Sequence, residues 1–373
     1  MKNPDQWYNL NEIKDSFHEG TEYFLTFGTW GDSSGFEQAS RTPELRQTYA
    51  DNVAKILDDQ GFDGVDIDWE YPGGHGADYK IHNDPAERQQ EIVNFPLFLQ
   101  AIKGSIKSKK LSIAVPGKGE DMMAFNDQTS KTIFDAVDYV NIMSYDLTNR
   151  RSTATGHLSS VEGCLESVKG YLNLGLDPAK ANLGFPFYAE YYKMLPNCPN
   201  ANGLNCPIQA AENPDGSDAK TSGVLTFQDE NFAKPPGNLS TSAEGRCGYH
   251  AGMTCQSGYC CSSDGYCGTT SEYCNMACTP GYGTCPGVTA ITSFNQAYQH
   301  KQADNAAGAM YAVDTQNNYF WTWDSTDFYQ RKFDEIVKRY NLGGVMAWSL
   351  GEDSKDWAHI TKMIELSKKT FGQ

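Results

Sequence analysis

The chain has 373 residues, in which 30 Lys and Arg stand against 47 Asp and Glu, for a formal charge of −17. Its 39% hydrophobic and 12% aromatic content is enough to bury a sizeable core, which excludes wholesale disorder. The acidic balance leaves no basic stripe to neutralise phosphates, which argues against nucleic acid and anionic membrane surfaces as partners, and no stretch approaches the roughly 20 continuous apolar residues that span a bilayer. Aromatic residues at this frequency on so acidic a chain suit stacking on neutral sugars.

Strand and helix patterns alternate through most of the sequence. Tyr23 to Phe27 reads as a strand ending at Gly28. A helix follows, with Thr42 as N-cap, Pro43 at its first position, an apolar side through Leu45, Tyr49, Val53, Ile56 and Leu57, and a stop near Gly61. Phe62 to Asp68 is the next strand. Asp84-Pro85 and Asn94-Phe95-Pro96 read as two successive helix starts, the second opening an apolar run through Leu97, Phe98 and Ile102. Further strands are predicted at Leu111 to Val115, Val137 to Met143, Ala181 to Phe185 and Gly344 to Trp348, the last preceded by an amphipathic helix, Phe328 to Tyr340. Six strand–helix units in this order imply an α/β fold with a parallel sheet.

The rhythm breaks between Tyr188 and Met310, a gap far longer than an α/β connection needs. The chain therefore divides into 1–188 and 314–373, which carry the alternation, and an insertion, 189–313. Residues 246–286 at its centre are rich in Cys, Gly and Tyr and poor in aliphatics, so disulfides must staple them. Eight of the 11 cysteines lie between Cys247 and Cys285, a density that reads as an oxidising, extracellular compartment. The N-terminus, MKNPDQWYNL, lacks the apolar core of a signal peptide. A mature form, or one missing upstream sequence, reconciles the two. Cys198 and Cys206 are placed to close a short loop, and Cys164 is the odd cysteine, expected as a buried free thiol. Asn238-Leu239-Ser240 is a glycosylation sequon in an expected loop.

The strongest chemical signal is GFDGVDIDWEYPGG, residues 61–74. Strand side chains alternate, so Asp66, Asp68 and Glu70 share one face and Val65, Ile67 and Trp69 the other. Carboxyls in a row on a buried strand repel, which raises some of their pKa values and makes them share protons. That arrangement can keep Glu70 protonated as a general acid. Asp63 falls out of the parity and reads as a structural turn residue. The competing reading, a calcium loop, needs glycine at its sixth position; counted from Asp66 that residue is Tyr71, and Val, Ile and Trp demand a strand.

On these residues the chain resembles the chitinases of glycoside hydrolase family 18. Asp63, Asp66, Asp68 and Glu70 match the family's D-x-x-D-x-D-x-E signature. Gly28-Thr29-Trp30 with Phe36 resembles its third-strand S-x-G-G motif, with Thr29 in place of the second glycine. Ala114-Val115-Pro116, Met143-Ser144-Tyr145-Asp146 (M-x-Y-D), Gly184 to Tyr188, and Gly343 to Trp348 follow in the family's order. The resemblance implies a TIM-type (β/α) barrel and substrate-assisted, retaining hydrolysis of chitin or chito-oligosaccharides, without cofactor or metal. It implies that Glu70 is the acid and base, that Asp68 orients the acetamide, that Asp66 holds Asp68 and that Tyr145 bonds the acetamide carbonyl. Trp348 becomes the floor under the reacting sugar, with Met143, Asp146, Tyr71, Tyr188 and Trp30 as further substrate contacts. An endoglycosidase acting on N-glycans shares the acidic signature and is a third reading; a chitin-binding protein that does not turn over is the second.

The family barrel has eight strands and the match begins at the third, so the resemblance implies an incomplete barrel with two exposed strand edges. Either the N-terminal segment covers them, or a second copy in a homodimer does, or the missing strands leave the chain poorly active; the homodimer is the expectation.

The segment Cys247 to Cys285 resembles the hevein-like chitin-binding module, through Cys260-Cys261, Cys267-Gly268 and Glu272-Tyr273-Cys274. Spacing alone leaves 105 connectivities open for eight cysteines. The resemblance implies Cys247–Cys261, Cys255–Cys267, Cys260–Cys274 and Cys278–Cys285, and sugar contacts at Ser262, Tyr266 and Tyr273. Asp264 stands where the family carries its first aromatic; Tyr259 is the candidate substitute. Zinc is the competing reading, disfavoured because adjacent cysteines ligate one tetrahedral ion awkwardly. Phe227, Tyr298, Tyr311 and Trp321 belong either to a wall over the cleft or to the core of the insertion.

Overall fold

Local signals act where the sequence puts them. In the computed structural model, which describes residues 10–372, the Thr42 side chain accepts the Leu45 N–H, Pro43 opens the helix, and Gly61 closes it in the left-handed region at φ 77°. The elements that matter for the site are β1 (Phe24–Gly28), α1 (Pro43–Gln60), β2 (Gly64–Asp68), α2 (Pro85–Ile106), β3 (Lys110–Pro116), α3 (Ser130–Ala136), β4 (Tyr139–Met143), α4 (Val161–Asn173) and β5 (Ala181–Pro186). After them come β6 (Tyr188–Lys193), β7 (Ser222–Thr226), β8 (Cys260–Cys261), β9 (Cys267–Gly268) and α5 (Ala290–Tyr298). The chain ends with β10 (Gln302–Asp304), β11 (Ala309–Asp314), β12 (Tyr319–Trp323), α6 (Thr326–Lys332), β13 (Gly344–Trp348) and α7 (Ala358–Phe371). The N-terminal segment before Leu10, one of the candidates to cover a sheet edge, lies outside the described residues.

Six strands form one sheet in the order β1-β2-β3-β4-β5-β13, with β1 to β5 paired in parallel. The parallel sheet is the one expected from the alternation, its strand sequence fits the TIM-type barrel that the resemblance implies, and all six predicted strands are present. Among the described residues β1 and β13 are the two ends of the sheet.

The chain forms two compact units. The first comprises residues up to Met143, Glu166–Leu183 and Tyr340–Val345; the second comprises Ser144–Leu165, Gly184–Arg339 and Met346–Gln373. In the first, Val65 and Ile67 of β2 are fully buried. Trp69, just past the strand, stacks on Phe36 at 5.5 Å and meets Phe95 and Phe98 of α2 edge-on. The apolar parity of the acidic strand is therefore the packing face under the helices.

One helix start is corrected. Asn94-Phe95-Pro96 does not open a helix; Pro96 lies inside α2, whose true N-cap is Asp84, with its side chain accepting the Ala86 N–H. Proline removes one N–H donor from the ladder, but Ile92, Phe95, Phe98, Leu99 and Ile102 bury one continuous face across it, and that burial outweighs one missing bond. Helix α6 stops at Lys332 and continues as a π-helix, Phe333–Lys338, where one helix over Phe328 to Tyr340 was predicted.

The second unit is built on an antiparallel sheet ordered β10-β11-β12-β6-β7. Trp321 and Tyr311 are buried in it. The Trp321 Nε1–H donates to Ser293 Oγ of α5 at 3.0 Å, and that serine donates to Asp314 at 2.8 Å, so these two aromatics are core. Lys332 and Asp324 form a wholly buried ion pair at 2.5 Å, with Ser159 Oγ 2.8 Å from the ammonium, which is costly to break from one side. The insertion also carries the disulfide-rich region. All five expected pairs are formed: Cys198–Cys206, Cys247–Cys261, Cys255–Cys267, Cys260–Cys274 and Cys278–Cys285. Cys164 is a buried free thiol. Around β8 and β9, Cys247, Cys255, Cys261 and Tyr282 make up the small core of the region. Ser240–Thr241 pairs with Met253–Thr254, so its ordered pairing begins before residue 246.

Gly28 fixes how closely β1 approaches β2. It pairs in register with Asp68, has φ 90°, and a Cβ there would lie 2.1 Å from the Asp68 carbonyl oxygen. We expect Gly28→Ala to lower stability by about 2–4 kcal/mol, read as a fall in the urea midpoint; an unchanged midpoint would show the contact to be soft.

Candidate active site

Strand β2 carries Asp66 and Asp68, and the parallel register supplies partners for the first of them. Asp66 pairs in register with Ser112 of β3. Ser112 Oγ donates to Asp66 Oδ1 at 2.5 Å, and Asn141 Nδ2 of β4 donates to the same oxygen at 3.3 Å. Asn182 of β5 donates in turn to Asn141 Oδ1 at 2.9 Å. A polar relay thus crosses four strands and ends on Asp66. Burial pushes the Asp66 carboxyl up, against both hydrogen bonds.

Asp68 is 5% exposed, and its Oδ1 is buried with no hydrogen-bond partner. Burial, and then the charge of Asp66, push its carboxyl up to about 7. Native structures satisfy nearly all such atoms, so an unpartnered acceptor held this way is prepared for a donor arriving from outside. Glu70 follows the strand and is likewise buried. The loop beyond it folds back closely, since a Cβ at Gly76 would lie 2.2 Å from the Glu70 carbonyl oxygen. Glu91 of α2 accepts the Gly73 N–H at 2.9 Å and pairs with Arg88 at 3.1 Å, pinning that loop. Tyr71 meets Trp30 edge-on at 6.3 Å, and Trp30 is 40% exposed. Asp63 accepts the Tyr23 N–H at 2.9 Å, the structural role its parity indicated.

The second unit holds its own buried group. Tyr145 is buried, its ring edge-on to Tyr188 at 6.3 Å and its hydroxyl 3.9 Å from Met346 Sδ. Asp146 has φ 53° and accepts from the Tyr188 hydroxyl at 2.5 Å. Burial pushes the Asp146 carboxyl up to about 6, against that hydrogen bond. Trp348 ends β13 with 46% of its surface exposed, and its carbonyl accepts the Phe187 N–H at 2.8 Å. Met143, the last residue of β4, is buried in the first unit.

In the disulfide-rich region Ser262 is buried, its N–H donating to the Tyr266 carbonyl at 2.9 Å. Tyr266 is 48% exposed, with the Arg246 guanidinium 4.3 Å from its ring centre. Tyr273 lies over Gly268, where a Cβ would come within 2.3 Å of its ring. Tyr259 is exposed.

Sequence reasoning missed Ser112, Asn141, Asn182 and Glu91. Asn141 was within reach, since it shares strand parity with Met143; the others follow from register and loop packing, which leave no local mark.

The raised carboxyl of Asp68 has a measurable consequence. Because folding raises the Asp68 pKa from an ordinary 3.8 to about 7, the folded chain holds an extra proton between those values and the parent loses stability as pH rises through that window. Asp68→Asn should therefore gain on the parent by on the order of 2–4 kcal/mol at neutral to alkaline pH and by almost nothing near the lower value. Urea melts at the two pH values check this, and a gap independent of pH would overturn it.

Three comparisons place these observations among known proteins. The profile of "Glycosyl hydrolases family 18" matches residues 2–353. Chitinase B of Serratia marcescens is 25% identical over 325 residues, covering 87% of this chain and 61% of the relative. Chitinase 1 of Aphanocladium album is 28% identical over 190 residues, covering 45% and 41%, and Chitinase A1 of Niallia circulans is 26% identical over 219 residues, covering 53% and 30%. The chain thus spans less than two thirds of the length of these relatives. Among solved structures, catalytic domain 2 of the Group II chitinase of Ostrinia furnacalis has the same fold with a TM-score of 0.64 at 19% identity, covering 99% of this chain and 82% of that one. A family 18 N-acetylglucosaminidase from Paenibacillus barengoltzii gives 0.63 at 21% identity, covering 96% and 85%.

Proposed function

The chain belongs to glycosyl hydrolases family 18, and from that premise we propose that it hydrolyses β-1,4-linked N-acetylglucosamine polymers with retention of configuration. The observation that carries this reading is the buried, unpartnered Oδ1 of Asp68 beside an anchored Asp66. Such an acceptor suits the N–H of a substrate acetamide.

In this reading the acetamide oxygen attacks the anomeric carbon. The carbon–oxygen bond to the leaving sugar breaks, Glu70 gives that oxygen its proton, and an oxazolinium ion forms. Asp68 accepts from the acetamide N–H and offsets the positive charge, while Asp66 shares the proton that two neighbouring carboxyls cannot both lose. Glu70, now a carboxylate, takes a proton from water as that water attacks the anomeric carbon, and the bond between that carbon and the acetamide oxygen breaks, restoring the neutral acetamide. We assign the acetamide carbonyl to Tyr145 and sugar contact to Trp348, Met143, Asp146, Tyr71, Tyr188 and Trp30. The disulfide-rich region is proposed as a hevein-like module that holds chitin at Ser262, Tyr266 and Tyr273. Its disulfides, with Cys198–Cys206, support an oxidising compartment and hence secretion; no helix among the described residues is long and apolar enough to cross a membrane.

Glu70→Gln is expected to lower turnover of soluble chito-oligosaccharides by about 10²–10⁴-fold while both proteins are still pulled down by insoluble chitin. A second reading, chitin binding without turnover, draws on the open edges of β1 and β13 among the described residues. It is the one to keep if neither protein cleaves and both bind.

Those edges also support association, because unpaired strand edges recruit other strands. We propose a homodimer that covers them, which light scattering at micromolar concentration reads as twice the chain mass; a monomer there rules it out.

A further inference from the structure

The segment Tyr145 to Thr148 is clasped by β6 at two points. Tyr188 donates to Asp146 Oδ1 at 2.5 Å, and Tyr192 Oη lies 2.8 Å from the Thr148 carbonyl oxygen. Glu190 sits between the two tyrosines on the same strand face, buried, with Oε2 2.7 Å from Tyr192 Oη.

The hydrogens around Tyr192 can be counted. A phenol has one hydrogen, and a backbone carbonyl only accepts. If Glu190 were ionised it too would only accept, so one hydrogen would face two acceptors. One of the two oxygen pairs would then stand at under 3 Å with nothing between them. A proton on Glu190 removes the conflict, because both contacts then carry a hydrogen.

The surroundings agree. Burial, and then the charge of Asp146, push the Glu190 carboxyl well above its ordinary range. The residues in register with Glu190 on the flanking strands are Thr322 of β12 and Val224 of β7, neither of them charged. Of the other ionisable groups, Tyr188 and Tyr145 are phenols beside Asp146, and Glu352 is one more acid whose carboxyl burial pushes up. None of these groups is a cation that would hold Glu190 as a carboxylate.

We infer that Glu190 is a neutral carboxylic acid that donates to Tyr192, which passes its own hydrogen to the Thr148 carbonyl, making Glu190 a positioning residue for the segment that carries Tyr145 and Asp146. Loss of the Glu190 proton removes one hydrogen from the relay and adds a negative charge beside Asp146, so the clasp weakens as pH rises.

The test is Glu190→Gln, which keeps a donor for Tyr192 and cannot ionise. Folding raises the Glu190 pKa, so the parent loses stability as pH climbs from the ordinary carboxyl range through the raised value. The melting points of parent and variant should coincide near the ordinary value and separate by about 2–4 °C or more in the variant's favour on the alkaline side. The infrared band of protonated carboxyls should be weaker at neutral pH in the variant than in the parent by the share of one carboxyl, the raised Asp68 contributing to both. No band difference, a gap that does not depend on pH, or a variant that fails to fold would each overturn the assignment. A third readout rests on the proposed hydrolysis: the ratio of variant to parent kcat/KM on soluble chito-oligosaccharides should rise from acid to alkaline pH. A flat ratio in an active enzyme would show that Glu190 does not position the active segment. An inactive chain with the infrared difference intact would sink the hydrolase reading and leave the proton assignment standing.

Discussion

Two carboxyls two residues apart on a buried strand cannot both hold a full charge. Asp66 and Asp68 lie on β2 in the sheet interior, and burial pushes both upward. The structure answers with donors for one of them and leaves the other short. Ser112 and Asn141 hold Asp66, and Asn182 holds Asn141, so four adjacent strands must keep register for the acid pair to exist. Gly28 serves the same end from β1, admitting the Asp68 carbonyl where any side chain would collide. The destabilisation stored at Asp68 is the usual companion of a site built for chemistry.

The second unit contains a related solution. Asp146, Glu190 and Glu352 are acids whose carboxyls burial pushes up; the Tyr188 phenol donates to Asp146, the Ser349 N–H donates to Glu352, and Glu190 keeps a hydrogen that it shares with Tyr192. Tyr188 and Tyr192 lie two residues to either side of Glu190, so one face of β6 presents alternating phenol, acid and phenol. Where a cation is buried instead, at Lys332, it receives a carboxylate of its own from Asp324. In each place the low-dielectric interior makes an unmatched proton count more costly than any single contact is favourable.

The disulfide-rich region follows other rules. It has too few aliphatic residues to form a core, and its half-cystines take that place around Tyr282. Of its exposed aromatics, Tyr266 is already faced by Arg246. A sugar stacking on that face competes with a cation–π contact worth about 0.5–1 kcal/mol at an exposed site.

The sequence by itself determined what depends on neighbours along the chain. Thr42, Pro43 and Gly61 bound α1 because caps act within one turn. The acids share a face, and Val65, Ile67 and Trp69 pack the other, because strand parity is local. The four disulfide pairs between Cys247 and Cys285 were legible only through likeness to a known module, since spacing leaves them open, whereas Cys198–Cys206 followed from its short loop. Tertiary structure alone decided the rest. Pro96 stays inside α2 because a whole buried face overrides one missing donor. Ser112 and Asn141 meet Asp66 across 46 and 75 residues of chain, and Thr148 meets Tyr192 across 44. A hydrogen bond is directional and short, so which acid keeps its proton is settled by strand register and loop path, and neither is written at the position of the acid.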